Sequence, residues 1–333
     1  MKVKSVDIAR KLNLSKATVS LALNNRPGVS EKTKEKVQKC LIEMGGAETG
    51  RPAVKQMIKI IIINNHLGLI QNSELDLWTD VFSVFDREIR RLGYSLGLTY
   101  VGQDQREVQQ VIKEANEENV AGVILDATEM RPEEIEPFRG IKKPMVIYDN
   151  DLSEEYHCIA VDGVTAIRNV VDLLVARGCR DIKYLANKVD IYNFRQRRAG
   201  YRAGLRKNRL ELREDSIYPI GERIEDIYEN MKHYLDHHRL PDAFIMENYQ
   251  VSMGVMRAFR ERKIAVPQEV SLVGVDELPD YLTGDFLLTT VRVEHAERAR
   301  AVMMFLEQEM KGALSAKFKI YSNCDLIPGN SVR

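Results

Sequence analysis

The 333-residue sequence predicts an α/β chain: a three-helix, helix-turn-helix head at the N-terminus, followed by a two-lobed sensor body of doubly wound parallel sheets. Three observations predict it. Apolar residues recur at helical spacing in two short bursts, Val6, Ile8, Ala9 and Leu12, then Val19, Ala22 and Leu23. A β-branched run, Ile58-Lys59-Ile60-Ile61-Ile62-Ile63, then opens an alternation of strand and helix patterns some two hundred residues long. The charge is also polarised: residues 1–57 hold 12 Lys and Arg against 5 Asp and Glu, while the remainder holds 37 against 44, so the formal net charge of zero hides a basic head on an acidic body. That balance suits a head that neutralises phosphates.

In the head, Asn13 sits where the first helix must end in a left-handed residue, a conformation that Asn tolerates well. Ser15 is placed to cap the second helix. Lys16, Ala17, Thr18, Ser20 and Leu21 are left on its outer, early face, where a helix-turn-helix meets base edges in the major groove. Pro27-Gly28 makes a turn, Ser30 can cap again, and Val37, Leu41 and Met44 give a third helix a packing side. A small trihelical bundle without a DNA role is the bland alternative.

Residues 45–54, GGAETGRPAV, read as a linker, which gives a head at 1–45, a linker at 46–57 and a body at 58–333. Strands are expected at 58–63, 94–101, 120–125, 145–148, 159–161, 182–186, 243–246 and 270–275. Helices are expected at 77–92, 108–118, 164–176, 197–207, 224–237, 251–262 and 296–310. These elements exceed one comfortable sheet, so two similar lobes follow: lobe one near 58–161 and 292–323, lobe two near 162–291 and 324–333. Ligands of such sheets bind beyond the carboxyl ends of the strands. There lie Asn64, Asn65, Asp126, Tyr148-Asp149-Asn150-Asp151, Asp162, Asn248 and Asp276, with Trp78 nearby. Carboxylates and amides with an aromatic face suit a polyhydroxylated or amine-bearing ligand; for any one of them, helix capping is an equal alternative.

The run VDIARKLNLSKATVSLALNNRPGVSEKTKEKV resembles the DNA-binding head of the lactose-repressor family of bacterial transcription regulators, and PDAFIMENYQVSMGVMRAFRERKIAVPQEVSLVGVDELPDY is similar to that family's second lobe. The resemblance implies a periplasmic-binding-protein-like body, a homodimer, a double-stranded operator of approximate palindromic form, and a small-molecule effector, a sugar or related metabolite. It assigns Ser5, Ser15, Lys16, Ala17, Thr18, Ser20, Leu21, Asn24 and Asn25 to DNA, with Lys16, Ala17 and Leu21 at reading positions and Thr18, Ser20 and Asn24 toward phosphates. It assigns Trp78, Tyr148, Asp149, Arg197, Asn248 and Asp276 to the effector. Leu21 stands where family members often carry Arg, Tyr249 where an aspartate is usual, and Ala166 and Ala299 where glycines are common. The linker lacks the family's Ala-Arg-x-Leu hinge helix, leaving Val54 and Met57 as the apolar residues that could enter a minor groove.

Four cysteines without a CxxC pair point to reduced thiols in a cytoplasmic compartment. No leader or membrane-spanning run is evident. The sequence has no GxSxG, phosphate-binding loop or dinucleotide fingerprint, and the His233, His237 and His238 group reads better as a solvated helix face than as a metal site. No enzyme, cofactor or metal is expected. The function readings are a ligand-responsive DNA-binding regulator, which the family resemblance implies is a repressor, a regulator answering to a protein partner, and a ligand-binding module with weakened DNA binding.

Overall fold

The computed structural model describes residues 5–23, 28–44, 56–64, 77–278 and 284–333, with the side chains of 31, 42 and 77–80 excepted. The chain divides into two units, Met1–Met57 and Ile58–Arg333.

The head holds α1 (Ser5–Leu12), α2 (Lys16–Leu23) and α3 (Glu31–Glu43). Asn13 is left-handed, with φ of 52°, and Leu14 N donates to Ala9 O at 2.9 Å, closing the end of α1. Ser15 Oγ accepts from Thr18 N at 2.9 Å and so caps α2; Ser30 Oγ accepts from Thr33 N at 3.3 Å ahead of α3. Ile8, Ala9, Val19, Ala22, Val37, Cys40 and Leu41 are buried together, which explains the spacing of the apolar bursts.

The body contains β1 (Met57–Ile63), α4 (Leu77–Arg91), β2 (Ser95–Val101), α5 (Gln105–Ala115), β3 (Val120–Asp126), a 3₁₀ segment (Pro132–Gly140), β4 (Met145–Tyr148) and β5 (His157–Val161). These are followed by α6 (Gly163–Ala176), β6 (Ile182–Asn187), α7 (Tyr192–Lys207), β7 (Ile217–Gly221), α8 (Ile224–His237), β8 (Ala243–Met246), α9 (Tyr249–Arg262), β9 (Ser271–Val275) and β10 (Thr289–Arg292). Last come α10 (His295–Met310), β11 (Lys319–Ser322) and β12 (Asp325–Ile327).

Two six-stranded sheets result, ordered β11-β5-β4-β3-β1-β2 and β12-β10-β9-β8-β6-β7. The second repeats the first with every strand number raised by five, apart from the added edge strand. Each core order, 2-1-3-4-5, is a doubly wound arrangement. The pairs β3/β4, β4/β5, β6/β7, β6/β8, β8/β9 and β9/β10 are parallel. Strand β11 joins β5 in parallel, whereas β12 joins β10 antiparallel. Helix α10, although it follows β10 in sequence, packs on α4, β3 and β4, so the chain crosses from the second sheet back to the first there, and again between β11 and β12.

Strand β1 is covered on both faces, as its unbroken apolar run requires; its one charge, Lys59, reaches Glu114 on α5 at 2.6 Å. Helices α6 and α7 pack closely through two glycines. A Cβ at Gly200 would lie 2.4 Å from Val164 O, and one at Gly204 would lie 2.6 Å from Val171 Cβ. Alanine in a helix interior ordinarily gains about 1 kcal/mol over glycine. Here Gly200→Ala must push backbone apart, and a loss of about 2 kcal/mol is expected in urea unfolding; a stabilised variant would contradict the contact.

Candidate functional site

On α2, Lys16, Ala17 and Ser20 are exposed, while Thr18 and Leu21 are partly covered. Thr18 Oγ1 lies 2.8 Å from Ser15 Oγ, so these two hydroxyls also serve the helix cap. Ser5 opens α1 and is half-buried. Asn24 and Asn25 lie outside the described residues, as do Asn65 and the linker residues 45–55; Trp78 lies on α4, with its side chain outside them.

In the body, the strand ends of the two sheets face a cavity of about 80 Å³ lined by Asp149, Arg197, Asn248 and Asp276, and by Asn193, His295 and Arg298, which sequence reasoning missed. Its two aspartates are structural counterparts. Asp149 follows β4 and Asp276 follows β9; both are left-handed, with φ of 67° and 70°. Each donates its backbone N–H to the next strand, Asp149 to Ile159 O at 2.8 Å and Asp276 to Val291 O at 2.9 Å. The same turn at the same strand position therefore aims one carboxylate from each lobe into the cavity.

Their surroundings differ. Asp149 already takes three donors: Arg298 Nη2 donates to Oδ1, while Asn193 Nδ2 at 2.8 Å and the Thr128 hydroxyl at 3.0 Å address Oδ2. Asn193 comes from α7 of the second lobe, so its bond spans the lobes. The Thr128 hydroxyl also lies 2.8 Å from Asp126 Oδ1. A hydroxyl has one proton to give, so short contacts to two carboxyls require a proton on one of them. Burial, then the charge of Asp149, push Asp126 up to about 7, so it is the carboxyl expected to take up that proton as pH falls below neutrality. Arg298 is buried; burial works to lower it, but Asp149 and Tyr148 together raise it above the ordinary guanidinium value, and Cζ stands 4.7 Å from the Tyr148 ring centroid.

Asp276 has His295 Nε2 at 3.9 Å from Oδ1, too long for a direct hydrogen bond. Burial works to raise its carboxyl, but His295, then Arg197 and Arg298, hold it below the ordinary value. Both His295 ring nitrogens, Asn193 Oδ1 and Arg298 Nε are buried atoms with no hydrogen-bond partner among the described residues.

Arg197 donates from Nη1 to Glu247 O at 2.7 Å, and Asn248 Oδ1 accepts from Val251 N at 3.1 Å as the cap of α9. Asn248 therefore fits the capping reading as well as lining the cavity. Tyr148 does not line the cavity: it is fully buried beneath Arg298 and edge-on to Phe85 in the first lobe's core. Asp162 caps α6 through Thr165 N at 2.9 Å, and Asn150 Nδ2 binds the carbonyls of Ala127 and Met130, so these strand-end residues are structural. Beneath Asn248, Glu247 is wholly buried and held by Arg198 through Nε and Nη2, both at 2.8 Å.

Asn193 was missed because α7 begins at Tyr192, five residues before its clear apolar pattern. Arg298 did leave a signal: it stands at i, i+4 and i+8 with Val302 and Leu306, in the buried stripe of α10.

Among the described residues no group of three or more His, Cys, Asp or Glu is placed to hold a metal, and no helix is long and apolar enough to cross a membrane. The cysteines Cys40, Cys158, Cys179 and Cys324 are free.

A helix-turn-helix head, followed by a two-lobed body with a cavity between its sheets, defines the class of two-domain helix-turn-helix regulators. Residues 6–45 match the model for bacterial regulatory proteins of the lacI family, and residues 171–332 match that for a periplasmic binding protein-like domain. The chain is 26% identical over 307 residues to the HTH-type transcriptional repressor PurR of Glaesserella parasuis serovar 5, covering 90% of this chain and 87% of that protein. It is 24% identical to the HTH-type transcriptional regulator RegA of Clostridium saccharobutylicum, over 81% of each. Among solved structures, it is similar in fold to a transcriptional regulator CelR–cellobiose complex, with a TM-score of 0.71, 18% identity and coverage of 99% and 100%. A lac repressor dimer bound to operator and the anti-inducer ONPF gives 0.71, 21% identity and 99% of each chain. The chain thus carries a lacI-family DNA-binding domain followed by a periplasmic binding protein-like domain; it is a DNA-binding transcription regulator, not an enzyme.

Proposed function

We propose that this regulator is a repressor whose affinity for an approximately palindromic operator is controlled by a small neutral, hydroxyl-rich ligand, a sugar or related metabolite, bound between the lobes of a homodimer's subunits. The gap between Asp276 and His295 carries the reading. A hydroxyl placed in that 3.9 Å space donates to the carboxylate and accepts from an imidazole N–H, doing at once what neither side chain does for the other. Asn193 Oδ1, an acceptor, and Arg298 Nε, a donor, are two further buried atoms without a partner among the described residues. Arg197 and Asn248 complete the polar wall, while Phe194 and Ile191 supply apolar surface. On the DNA side, Lys16, Ala17 and Leu21 read bases, while Ser5, Ser15, Thr18, Ser20, Asn24 and Asn25 fix register on the backbone.

The test is calorimetric titration of the full chain with a panel of neutral sugars and nucleosides, repeated with Asp276→Asn. The amide keeps the shape but loses the charge-assisted bond, so affinity for the best ligand should fall about tenfold or more. Undiminished affinity would place the ligand elsewhere, and no response to any member of the panel would count against the hydroxyl-rich class.

A further inference from the structure

Resting on that reading of the cleft, we propose that Arg298 is its specificity-determining residue: a tethered cation that occupies Asp149, so that the first-lobe end of the site refuses amine-bearing ligands and accepts neutral ones. Both sheets turn an aspartate toward the cavity by the same left-handed turn. Only the first-lobe aspartate is met by a buried guanidinium, which is 2% exposed, bonded to the carboxylate and seated over the Tyr148 ring. Cation, carboxylate and aromatic face form the arrangement in which a protein ordinarily takes up a ligand's ammonium or guanidinium group; here the cation is the protein's own. Arg298 Nε and Asn193 Oδ1, on two residues that both bind Asp149, are each buried with no hydrogen-bond partner among the described residues. A ligand that satisfies the two atoms must accept from one and donate to the other, as a hydroxyl can and an ammonium cannot.

The residue is legible as a substitution of charge for apolar side chain. Val302 and Leu306, one and two turns further along the same stripe of α10, are buried in the first lobe's core, whereas Arg298 turns toward Asp149. Removing it leaves Asp149 buried beside Asp126 with no cation, a vacancy that an exogenous cation of the same chemistry should fill.

The experiment uses methylguanidinium and methylammonium, which carry the charge alone, and follows thermal unfolding of the full chain and of Arg298→Ala. The variant should be stabilised by roughly 2 °C or more at millimolar reagent, the wild type should not, and adding Asp149→Asn should abolish the response. Should Arg298→Ala be too unstable to purify, the reagent is included during refolding, where recovery of folded protein is the expected result. Equal responses in wild type and variant, or no response in the variant, would overturn the proposal. A second arm compares glucose with glucosamine and galactose with galactosamine. Arg298→Met should move preference toward the aminated member by about tenfold, and Arg298→Lys should keep the wild-type preference. An unmoved preference would overturn it. If no sugar binds either protein, the hydroxyl-rich reading fails, while methylguanidinium still decides the role of Arg298.

Discussion

Replacing Arg198 with methionine is expected to cost the body about 3–5 kcal/mol, because it strands the wholly buried Glu247 without its cation. Arg198 holds both Glu247 oxygens and, through Nη2, also donates to Asn187 O at 2.6 Å and Val189 O at 3.3 Å. Tyr184 and the Asn187 N–H bind the same carboxylate, at 3.1 and 2.7 Å, but neither brings charge. Burial already pushes Glu247 above the ordinary carboxyl value, with Arg198 working against it, so the carboxylate depends on this partner. Urea unfolding checks the size of the loss, and the double variant Arg198→Met, Glu247→Leu should recover much of it, since a buried ion pair is worth little more than well-packed apolar residues. A single-variant loss below about 1 kcal/mol would show that Glu247 is otherwise compensated. The pair also bears on the cleft: Arg197, next to Arg198 on α7, holds the Glu247 carbonyl, and Asn248 follows Glu247 at the end of β8, so the buried pair ties together the helix and the strand end that carry these two lining residues.

The second large effect is a dependence on pH. The Asp126 carboxyl is raised from 3.8 to about 7 in the folded chain. A group raised in this way contributes stability that is complete below its unfolded value, near 4, and is lost as pH climbs through about 7. Asp126→Asn supplies a permanent neutral amide in the same shape and loses nothing over that window. Its advantage over the wild type should therefore be roughly 2–3 kcal/mol larger at pH 8 than at pH 5, as read from urea midpoints at the two values. Parallel pH dependences for the two proteins would show that Asp126 is ionised throughout, and that the Thr128 hydroxyl serves only one of the two carboxyls.

The head was readable because its signals are local: Asn13, Ser15 and Ser30 act within three or four residues of themselves, and the packing stripes follow from helical period alone. Strand β1 was readable because burial on both faces leaves no polar alternation. Strand ends pointed to Asp149, Asn248 and Asp276 because a doubly wound sheet gathers those ends in one place. The short edge strands β11 and β12 were not readable, since three or four half-exposed residues carry no period and become strands only by pairing with β5 and β10. The partners that decide the cleft's chemistry were hidden for a related reason. Arg298 meets Asp149 across 149 positions of chain, and Asn193 meets it across 44, so neither pairing has a local signature. Without them Asp149 reads as a free ligand contact; with them it is an acceptor already engaged by three donors, and the more open one is Asp276.

The measurement that tests most directly whether this chain is a sequence-specific regulator is a genomic selection: fragmented DNA recovered by the purified full-length protein at physiological salt, sequenced, and repeated with Leu21→Arg. Leucine at that position can meet only a thymine methyl, whereas arginine can bind guanine in a bidentate manner. The expected result is an enriched, approximately palindromic sequence in which the Leu21→Arg protein changes the preferred base at one symmetric position of each half-site. Weak recovery without sequence preference, lost as salt rises and unchanged by the substitution, would contradict the assignment of α2 as a reader of bases.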